Sequence, residues 1–136
     1  NKVASIDQVI DTNLKGVIYA TKAFLTNLQK PTESHICNII SSSGLKGRAG
    51  QTTYCASKFG VAGFTEALKI DLENTNIKVS ALYPGGMNTQ FFSKANNPKD
   101  NQDWLNTDKV AEIITFMLER DVNMVMEQVT LNKRLV

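Results

Sequence analysis

Tyr54 and Lys58 are the residues of this sequence whose types and spacing best support acid–base chemistry. They lie four positions apart, about one helical turn, so both side chains leave the same helix face. A free tyrosine titrates near ~10, too high for proton transfer at neutral pH, and a neighbouring ammonium group stabilises its phenolate. We therefore expect Lys58 to bring Tyr54 into a range where it exchanges a proton with a substrate oxygen.

Ser41 offers a hydroxyl that could polarise a carbonyl group facing Tyr54. It ends a short apolar run, which is typical of a buried strand that leads into a loop. Open α/β sheets hold their ligands at the carboxyl ends of strands, so Ser41 and the start of the next helix should converge there. Taken alone, Tyr54 and Lys58 could instead be surface residues without a catalytic role, because such pairs are common on solvated helix faces.

The elements that must position these residues alternate between helical and strand patterns. In chain order the sequence predicts a helix over 6–28, a strand over 35–41, a loop over 42–51, a helix over 52–73, a strand over 77–83, an irregular excursion over 91–106, a helix from Thr107 and a strand over 124–131. Ser5 is the expected cap of the first helix, and Thr107 with Asp108 caps the last. Such alternation predicts a parallel sheet covered by helices.

Composition is that of one soluble domain over residues 1–136, with 42% hydrophobic and 21% charged residues. A net charge of +2 is too weak to indicate a nucleic-acid partner or a membrane partner. The first residues lack the pattern of a signal peptide, and no apolar run approaches the ~20 residues of a membrane span. Cys37 and Cys55 form no C-x-x-C pair, so no metal site is expected and a reducing cytoplasm fits best.

Three motifs together resemble those of the short-chain dehydrogenase/reductase family. They are N-I-I-S-S-S-G at 38–44, Y-C-A-S-K at 54–58 and Y-P-G-G-M-N-T at 83–89. The catalytic serine of that family lies thirteen residues before the tyrosine, which selects Ser41 over Ser42 and Ser43. D-T-N-L-K-G at 11–16 is similar to the helix segment whose asparagine completes a catalytic tetrad. The likeness covers essentially the whole chain. The joint spacing of these motifs favours a catalytic role for Tyr54 and Lys58 over that of a surface pair.

The resemblance implies a role for each matching residue. Tyr54 would exchange the proton at the substrate oxygen, and Lys58 would also bind the nicotinamide ribose. Ser41 would orient the substrate oxygen, and Asn13 would hold a water in the proton relay. The nicotinamide and pyrophosphate side of the cofactor would be lined by Pro84, Gly85, Met87 and Thr89.

The same resemblance implies a cofactor and an assembly. The cofactor would be NADP or NAD, and the ending at 122–134 is similar to members that often prefer NADP. In this family the helices that correspond to 6–28 and 52–73 form a four-helix contact with a second subunit. The chain is therefore expected to form a homodimer or a homotetramer.

The family's glycine-rich turn, T-G-x-x-x-G-x-G, does not occur in this sequence. By comparison with the family, residues 1–136 are expected to be the C-terminal, catalytic part of a Rossmann-like doubly wound α/β domain. That turn normally places backbone N–H groups at a helix N-terminus against the pyrophosphate. We therefore expect the chain alone to bind a dinucleotide weakly and to be inactive.

The expected function is that of an NAD(P)-dependent oxidoreductase that interconverts a ketone or aldehyde and an alcohol. Two alternatives remain open. One is a binding or regulatory protein that keeps the fold but has lost its cofactor. The other is a nucleotide-sugar epimerase or dehydratase, which is disfavoured because such relatives need a sizeable C-terminal substrate domain, whereas a loop, one helix and one strand account for the residues after Thr89.

Overall fold

The computed structural model describes residues 3–90 and 103–134, and its core is a sheet of three parallel strands. The elements in chain order are α1 (Val3–Ile10), a π-helical turn (Asp11–Lys15), α2 (Gly16–Leu28), β1 (Ser34–Ile39), a 3₁₀ turn (Ser42–Gly44), α3 (Thr52–Asp71), β2 (Ile77–Pro84), α4 (Thr107–Leu118) and β3 (Gln128–Leu131). The predicted alternation of helices and strands is confirmed.

The three strands pair in the order β1-β2-β3. Ser34 lies opposite Ile77 where β1 meets β2, and Ala81 lies opposite Gln128 where β2 meets β3. The central strand β2 is buried along almost its whole length because helices cover both of its faces. This parallel sheet confirms the predicted α/β class and brings the carboxyl ends of all three strands to one edge.

The helices divide between the two faces of the sheet. On one face, α2 and α3 pack on the sheet through a core that includes Val61, Leu68, Val79 and Ala81. On the other face, α4 packs through Val110 and Met117, together with Leu82 of β2. The helices over 6–28 and 52–73 therefore share one face of the sheet, and both of these helices reach the sheet edge near Ser41.

Two predicted helix caps are wrong. Ser5 lies inside α1, because the helix already includes Val3. At the start of α4 the cap is Asn106, whose Oδ1 accepts hydrogen bonds from the backbone N–H groups of Asp108 at 2.8 Å and Lys109 at 3.2 Å. Asparagine caps helices better than threonine does, so the first free N–H groups are satisfied one residue earlier than predicted.

The structure also differs from the prediction at the first helix and at the last strand. The stretch over 6–28 is not one regular α-helix, since the π-helical turn interrupts it. The last strand is shorter than 124–131, because Met124 donates to the carbonyl of Asp121 in a turn and pairing with β2 starts only at Gln128. Most of the predicted excursion, residues 91–102, lies outside the described residues.

None of the helices in the described ranges is long and apolar enough to cross a membrane. Within 3–90 and 103–134, no three or more His, Cys, Asp or Glu side chains are grouped so that they could hold a metal ion. Cys37 and Cys55 are both free thiols, and Cys55 is buried.

Candidate active site

A cavity of about 510 Å³ lies at the carboxyl edge of the sheet. The structure brings all eight residues singled out from the sequence to its wall: Asn13, Ser41, Tyr54, Lys58, Pro84, Gly85, Met87 and Thr89. They come from the π-helical turn, the end of β1, the first turns of α3 and the segment after β2. Four separate parts of the chain therefore converge on one space that a small molecule could enter.

Ser41 is fixed by two hydrogen bonds where β1 ends. Its Oγ accepts a bond of 3.1 Å from the backbone N–H of Ser43 and so caps the 3₁₀ turn. The Ser41 side chain is also hydrogen-bonded to the side chain of Tyr54. These contacts place the serine and tyrosine hydroxyls side by side in the cavity wall, where both could contact one substrate oxygen.

Gly44 allows the serine turn to pack closely on α3. A Cβ at this position would lie 2.8 Å from Cγ2 of Ile40 and 3.0 Å from the backbone oxygen of Lys58. Since a backbone carbonyl cannot swing away as a flexible side chain can, the contact requires glycine. The S-S-S-G sequence therefore holds Ser41 against the helix that carries Tyr54 and Lys58.

Tyr54 and Lys58 are both partly buried, and the Lys58 Nζ lies 5.8 Å from the centre of the Tyr54 ring. Burial raises the pKa of Tyr54 above its ordinary value, while the hydrogen bond from Ser41 and the charge of Arg48 act in the opposite direction. Burial also lowers the pKa of Lys58. The lowered pKa that the sequence predicts for Tyr54 is thus not seen, because desolvation of the phenolate outweighs the Ser41 hydrogen bond and the charge of Arg48.

Asn13 lies in the π-helical turn, an element that is rare in proteins and often found at functional sites. Its Nδ2 donates to the Oγ of Ser57 at 3.2 Å, and that hydroxyl donates to the backbone oxygen of Tyr54 at 2.7 Å. Gly60 permits the close approach, because a Cβ there would lie 2.8 Å from Cδ2 of Leu14. Asn13 is therefore tied to the same helical turn as Tyr54.

The segment after β2 is held from two sides. The N–H of Gly85 donates to the carbonyl of Leu131 in β3 at 2.7 Å. Leu105 returns beside Met87, and its N–H donates to the carbonyl of Gly86 at 3.0 Å. The P-G-G-M-N-T motif consequently forms a fixed side of the cavity.

Sequence reasoning missed four further cavity residues that bear polar or aromatic groups, namely Arg48, Gln51, Trp104 and Lys133. Trp104 is the single tryptophan of the sequence, and its ring lies over Gly86. The doubled glycine of P-G-G was the available signal, since a second glycine beside a strand end indicates a close approach by another group.

Replacing Gly86 by Ala is expected to destabilise the protein. The new Cβ would lie 2.4 Å from Cε3 of the Trp104 ring, so the indole would have to shift away from the strand end. Overpacking of this kind costs about 1–3 kcal/mol in the free energy of unfolding, which urea denaturation of the whole protein would measure. Gly47→Ala is the matched control, since nothing lies within 4 Å of its added Cβ. Equal urea midpoints of unfolding for Gly86→Ala and Gly47→Ala would contradict the packing of Trp104 on Gly86.

Comparison with protein families gives a match over residues 1–100 to the short chain dehydrogenase family. An uncharacterized oxidoreductase of Staphylococcus aureus is 31% identical over 124 residues, which cover 91% of this chain and 53% of that protein. A putative oxidoreductase of Mycobacterium tuberculosis, SadH, is 42% identical over 92 residues, which cover 66% of this chain and 33% of that protein. The chain thus spans about half the length of the first of these relatives and a third of the second.

Two solved structures superpose on almost the whole of this chain. The closed form of a serine dehydrogenase complexed with NADP+ superposes with a TM-score of 0.85 at 25% identity, covering 96% of this chain and 56% of that one. A short-chain dehydrogenase/reductase from Vibrio parahaemolyticus gives a TM-score of 0.81 at 25% identity, covering 98% of this chain and 58% of that one. Both structures share the parallel α/β arrangement described above. The family match, the relatives and the fold agree, and the chain belongs to the short-chain dehydrogenase/reductase family.

Proposed function

We propose that the protein is an NAD(P)-dependent oxidoreductase that interconverts a ketone or aldehyde and an alcohol by hydride transfer. The observation that carries the proposal is the hydrogen-bonded pair of Ser41 and Tyr54, which shares one cavity with Lys58. Membership of the family and the oxidoreductase relatives support the reaction class. Because the chain spans about half of the curated relative from S. aureus, the proposal concerns the whole protein that contains it.

The cavity has the chemistry that the nicotinamide half of such a cofactor requires. Lys58 offers an ammonium group for ribose hydroxyls, and Pro84 and Met87 offer apolar surface for the nicotinamide ring. Only the nicotinamide half of the cofactor fits these residues, because the glycine-rich turn that would hold the pyrophosphate does not occur in the sequence. NADP+ is bound by the serine dehydrogenase that shares the fold, and we propose NADP rather than NAD here.

When bound, the reduced nicotinamide supplies the hydride that adds to the carbonyl carbon. Tyr54 donates its phenolic proton to the carbonyl oxygen, so that a C–H and an O–H bond form and an alcohol results. Ser41 holds that oxygen by its hydroxyl and stabilises the negative charge that develops there. Oxidation of the alcohol follows the same path in reverse, with the Tyr54 phenolate as the base.

Lys58 and Asn13 complete the proposed proton path. Burial lowers the pKa of Lys58, so this ammonium gives up a proton more readily than a solvated lysine does. It can thereby return a proton to the Tyr54 phenolate formed after each reduction. Asn13, anchored through Ser57, would hold the water that connects Lys58 to solvent.

The proposed function is tested by following the absorbance of NADPH and NADH while the whole protein is mixed with a panel of ketones and aldehydes. Consumption of the reduced cofactor that depends on a carbonyl compound, with NADPH preferred, is the expected result. A whole protein that binds NADPH but oxidises it with no carbonyl compound would contradict the proposal and favour the binding or regulatory alternative.

The two reaction directions are expected to respond oppositely to pH. Burial raises the pKa of Tyr54, so the phenol that reduction needs is the dominant form at neutral pH. The kcat/KM for carbonyl reduction should therefore be flat through neutral pH and fall once the pH passes the raised pKa. The kcat/KM for alcohol oxidation should rise over the same range, because it needs the phenolate. A reduction rate that increases with alkaline pH would contradict the assignment of Tyr54 as the acid.

We also propose a homodimer or homotetramer built on α2 and α3. Large apolar side chains are exposed on these helices: Tyr19, Phe24, Phe59 and Ile70. Exposed aromatic and aliphatic groups on neighbouring helices favour an isologous contact with a second copy. Sedimentation of the whole protein at micromolar concentration should show a dimer or tetramer, and a monomer would refute the assembly.

A further inference from the structure

The cavity wall concentrates positive charge. Its lining residues include the cations Arg48, Lys58 and Lys133, and among the residues that the structure describes no Asp or Glu lines it. The whole sequence, by contrast, has 15 basic and 13 acidic residues. Sites lined by one sign of charge attract ligands of the opposite sign, so the cavity favours an anion.

Arg48 is the cation held closest to the serine turn. Its Nε donates to the Oγ of Ser43 at 3.2 Å and its Nη2 donates to the Oγ of Ser42 at 2.8 Å. Both serines are buried and directly follow Ser41. The guanidinium charge also acts on Tyr54, where it opposes the rise in pKa that burial causes. Arg48 is exposed in its loop, but these hydrogen bonds anchor its guanidinium beside the hydroxyl pair.

The other two cations have partners or another proposed use. Lys133 pairs with Asp103 at 3.6 Å, and Lys58 is the proposed ribose ligand. Within the described ranges, none of the ion pairs involves Arg48. A guanidinium has five N–H donors, and the two serine hydroxyls engage only two of its nitrogens. Arg48 thus keeps donors and an unneutralised charge for a ligand.

The position of Arg48 separates it from the proposed cofactor side. Arg48 follows β1, whereas the segment from Pro84 to Thr89 follows β2 and Lys133 follows β3. Because the strands lie in the order β1-β2-β3, Arg48 and Lys133 approach the cavity from opposite ends of the sheet edge. An anion at Arg48 would therefore lie on the Ser41 side of the cavity, away from the motif that faces the nicotinamide.

We propose that Arg48 binds a carboxylate of the substrate and so selects carbonyl compounds that carry a carboxylate close to the reacting carbon. This assignment rests on the proposed function and adds a specificity-determining residue to it. A planar guanidinium can donate two parallel N–H bonds to the two oxygens of a carboxylate. The anchoring on Ser42 and Ser43 fixes the guanidinium, so less side-chain entropy is lost on binding.

The test compares acids with their methyl esters in the whole protein. NADPH-dependent reduction is measured for a panel of short 2-oxo and 3-oxo acids and for the matching esters, which keep the carbonyl but lose the charge. Loss of a hydrogen bond to a charged group typically costs about 10- to 100-fold, so Arg48→Met should lower kcat/KM for the acids by that factor. For the esters the same variant should change kcat/KM by less than about threefold.

Two further variants separate recognition from structure. Lys46→Met removes a cation from the same exposed loop but outside the cavity wall, and should leave acids and esters unchanged. Arg48→Lys keeps the charge but lacks the two parallel N–H donors of a guanidinium. It should therefore retain part of the preference for acids that Arg48→Met loses. An Arg48→Met variant that loses acid and ester reduction equally would show a purely structural role and overturn the proposal.

The remaining outcomes are also decisive. If the wild-type protein reduces acids and esters equally well, the proposed function stands and the carboxylate assignment fails. If a phosphorylated ketone shows the dependence on Arg48 and the acids do not, the anion is a phosphate and the carboxylate assignment again fails. If no carbonyl compound of the panel, charged or neutral, is reduced, the proposed function and this assignment fail together.

Discussion

Replacing Tyr54 by Phe is expected to lower kcat for carbonyl reduction by about 10²–10⁴-fold, the usual contribution of a general acid. The substitution removes the phenolic oxygen that is hydrogen-bonded to Ser41 and keeps the ring in place. The proton then has no donor at the position where the substrate oxygen must lie. The dissociation constant of NADPH should stay close to the wild-type value, because the nicotinamide contacts are unaltered.

The control for this experiment is Tyr19→Phe. It makes the same chemical change on α2, outside the cavity wall, and keeps the ring that the proposed subunit contact uses, so kcat should be unchanged. A Tyr54→Phe enzyme that keeps more than about a tenth of the wild-type kcat at neutral pH would contradict the role of Tyr54 as general acid.

Replacing Lys58 by Ala is expected to damage both cofactor binding and turnover. The ammonium is the proposed ligand of the ribose and the proposed source of the proton that restores Tyr54. We expect kcat to fall by at least about 10²-fold, since proton transfer is impaired, and KM for NADPH to rise by about 10-fold, the loss of one charged hydrogen bond. Steady-state kinetics of the whole protein with varied NADPH separates these two effects.

Lys69→Ala provides the matched control on the same helix. Lys69 pairs with Glu66 at 2.7 Å and lies outside the cavity wall, so its loss should change neither parameter. If Lys58→Ala lowers kcat but leaves the KM for NADPH unchanged, Lys58 does not bind the cofactor and the assignment of the ribose contact is wrong.

The sheet was predictable because its strands and helices carry their periodicity in the sequence. The pattern over 77–83 predicts β2 to within one residue, since this strand is apolar apart from Lys78 and Ser80, as expected where helices cover both faces. The pattern over 52–73 predicts α3 nearly as closely. The convergence of Ser41 with Tyr54 could be expected as well, because parallel strands end at one edge and α3 starts close to it.

Other features depend on packing that no local pattern encodes. The π-helical turn that carries Asn13 fits the same apolar spacing as a regular helix, so the sequence could not distinguish them. The raised pKa of Tyr54 follows from how deeply the side chain is buried, which is a tertiary property. Arg48 belongs to a loop without periodicity, and only its hydrogen bonds to Ser42 and Ser43 reveal that it turns into the cavity.

Deuterium transfer provides the most direct test of the proposed hydride chemistry. The whole protein is incubated with a carbonyl substrate and NADPH that carries deuterium at both C4 positions of the dihydronicotinamide, and the alcohol is analysed by mass spectrometry. We expect one deuterium on the carbon that bears the new hydroxyl, formed by the wild-type protein and strongly reduced in Tyr54→Phe. An alcohol without deuterium, or one that Tyr54→Phe forms at the wild-type rate, would contradict hydride transfer assisted by Tyr54.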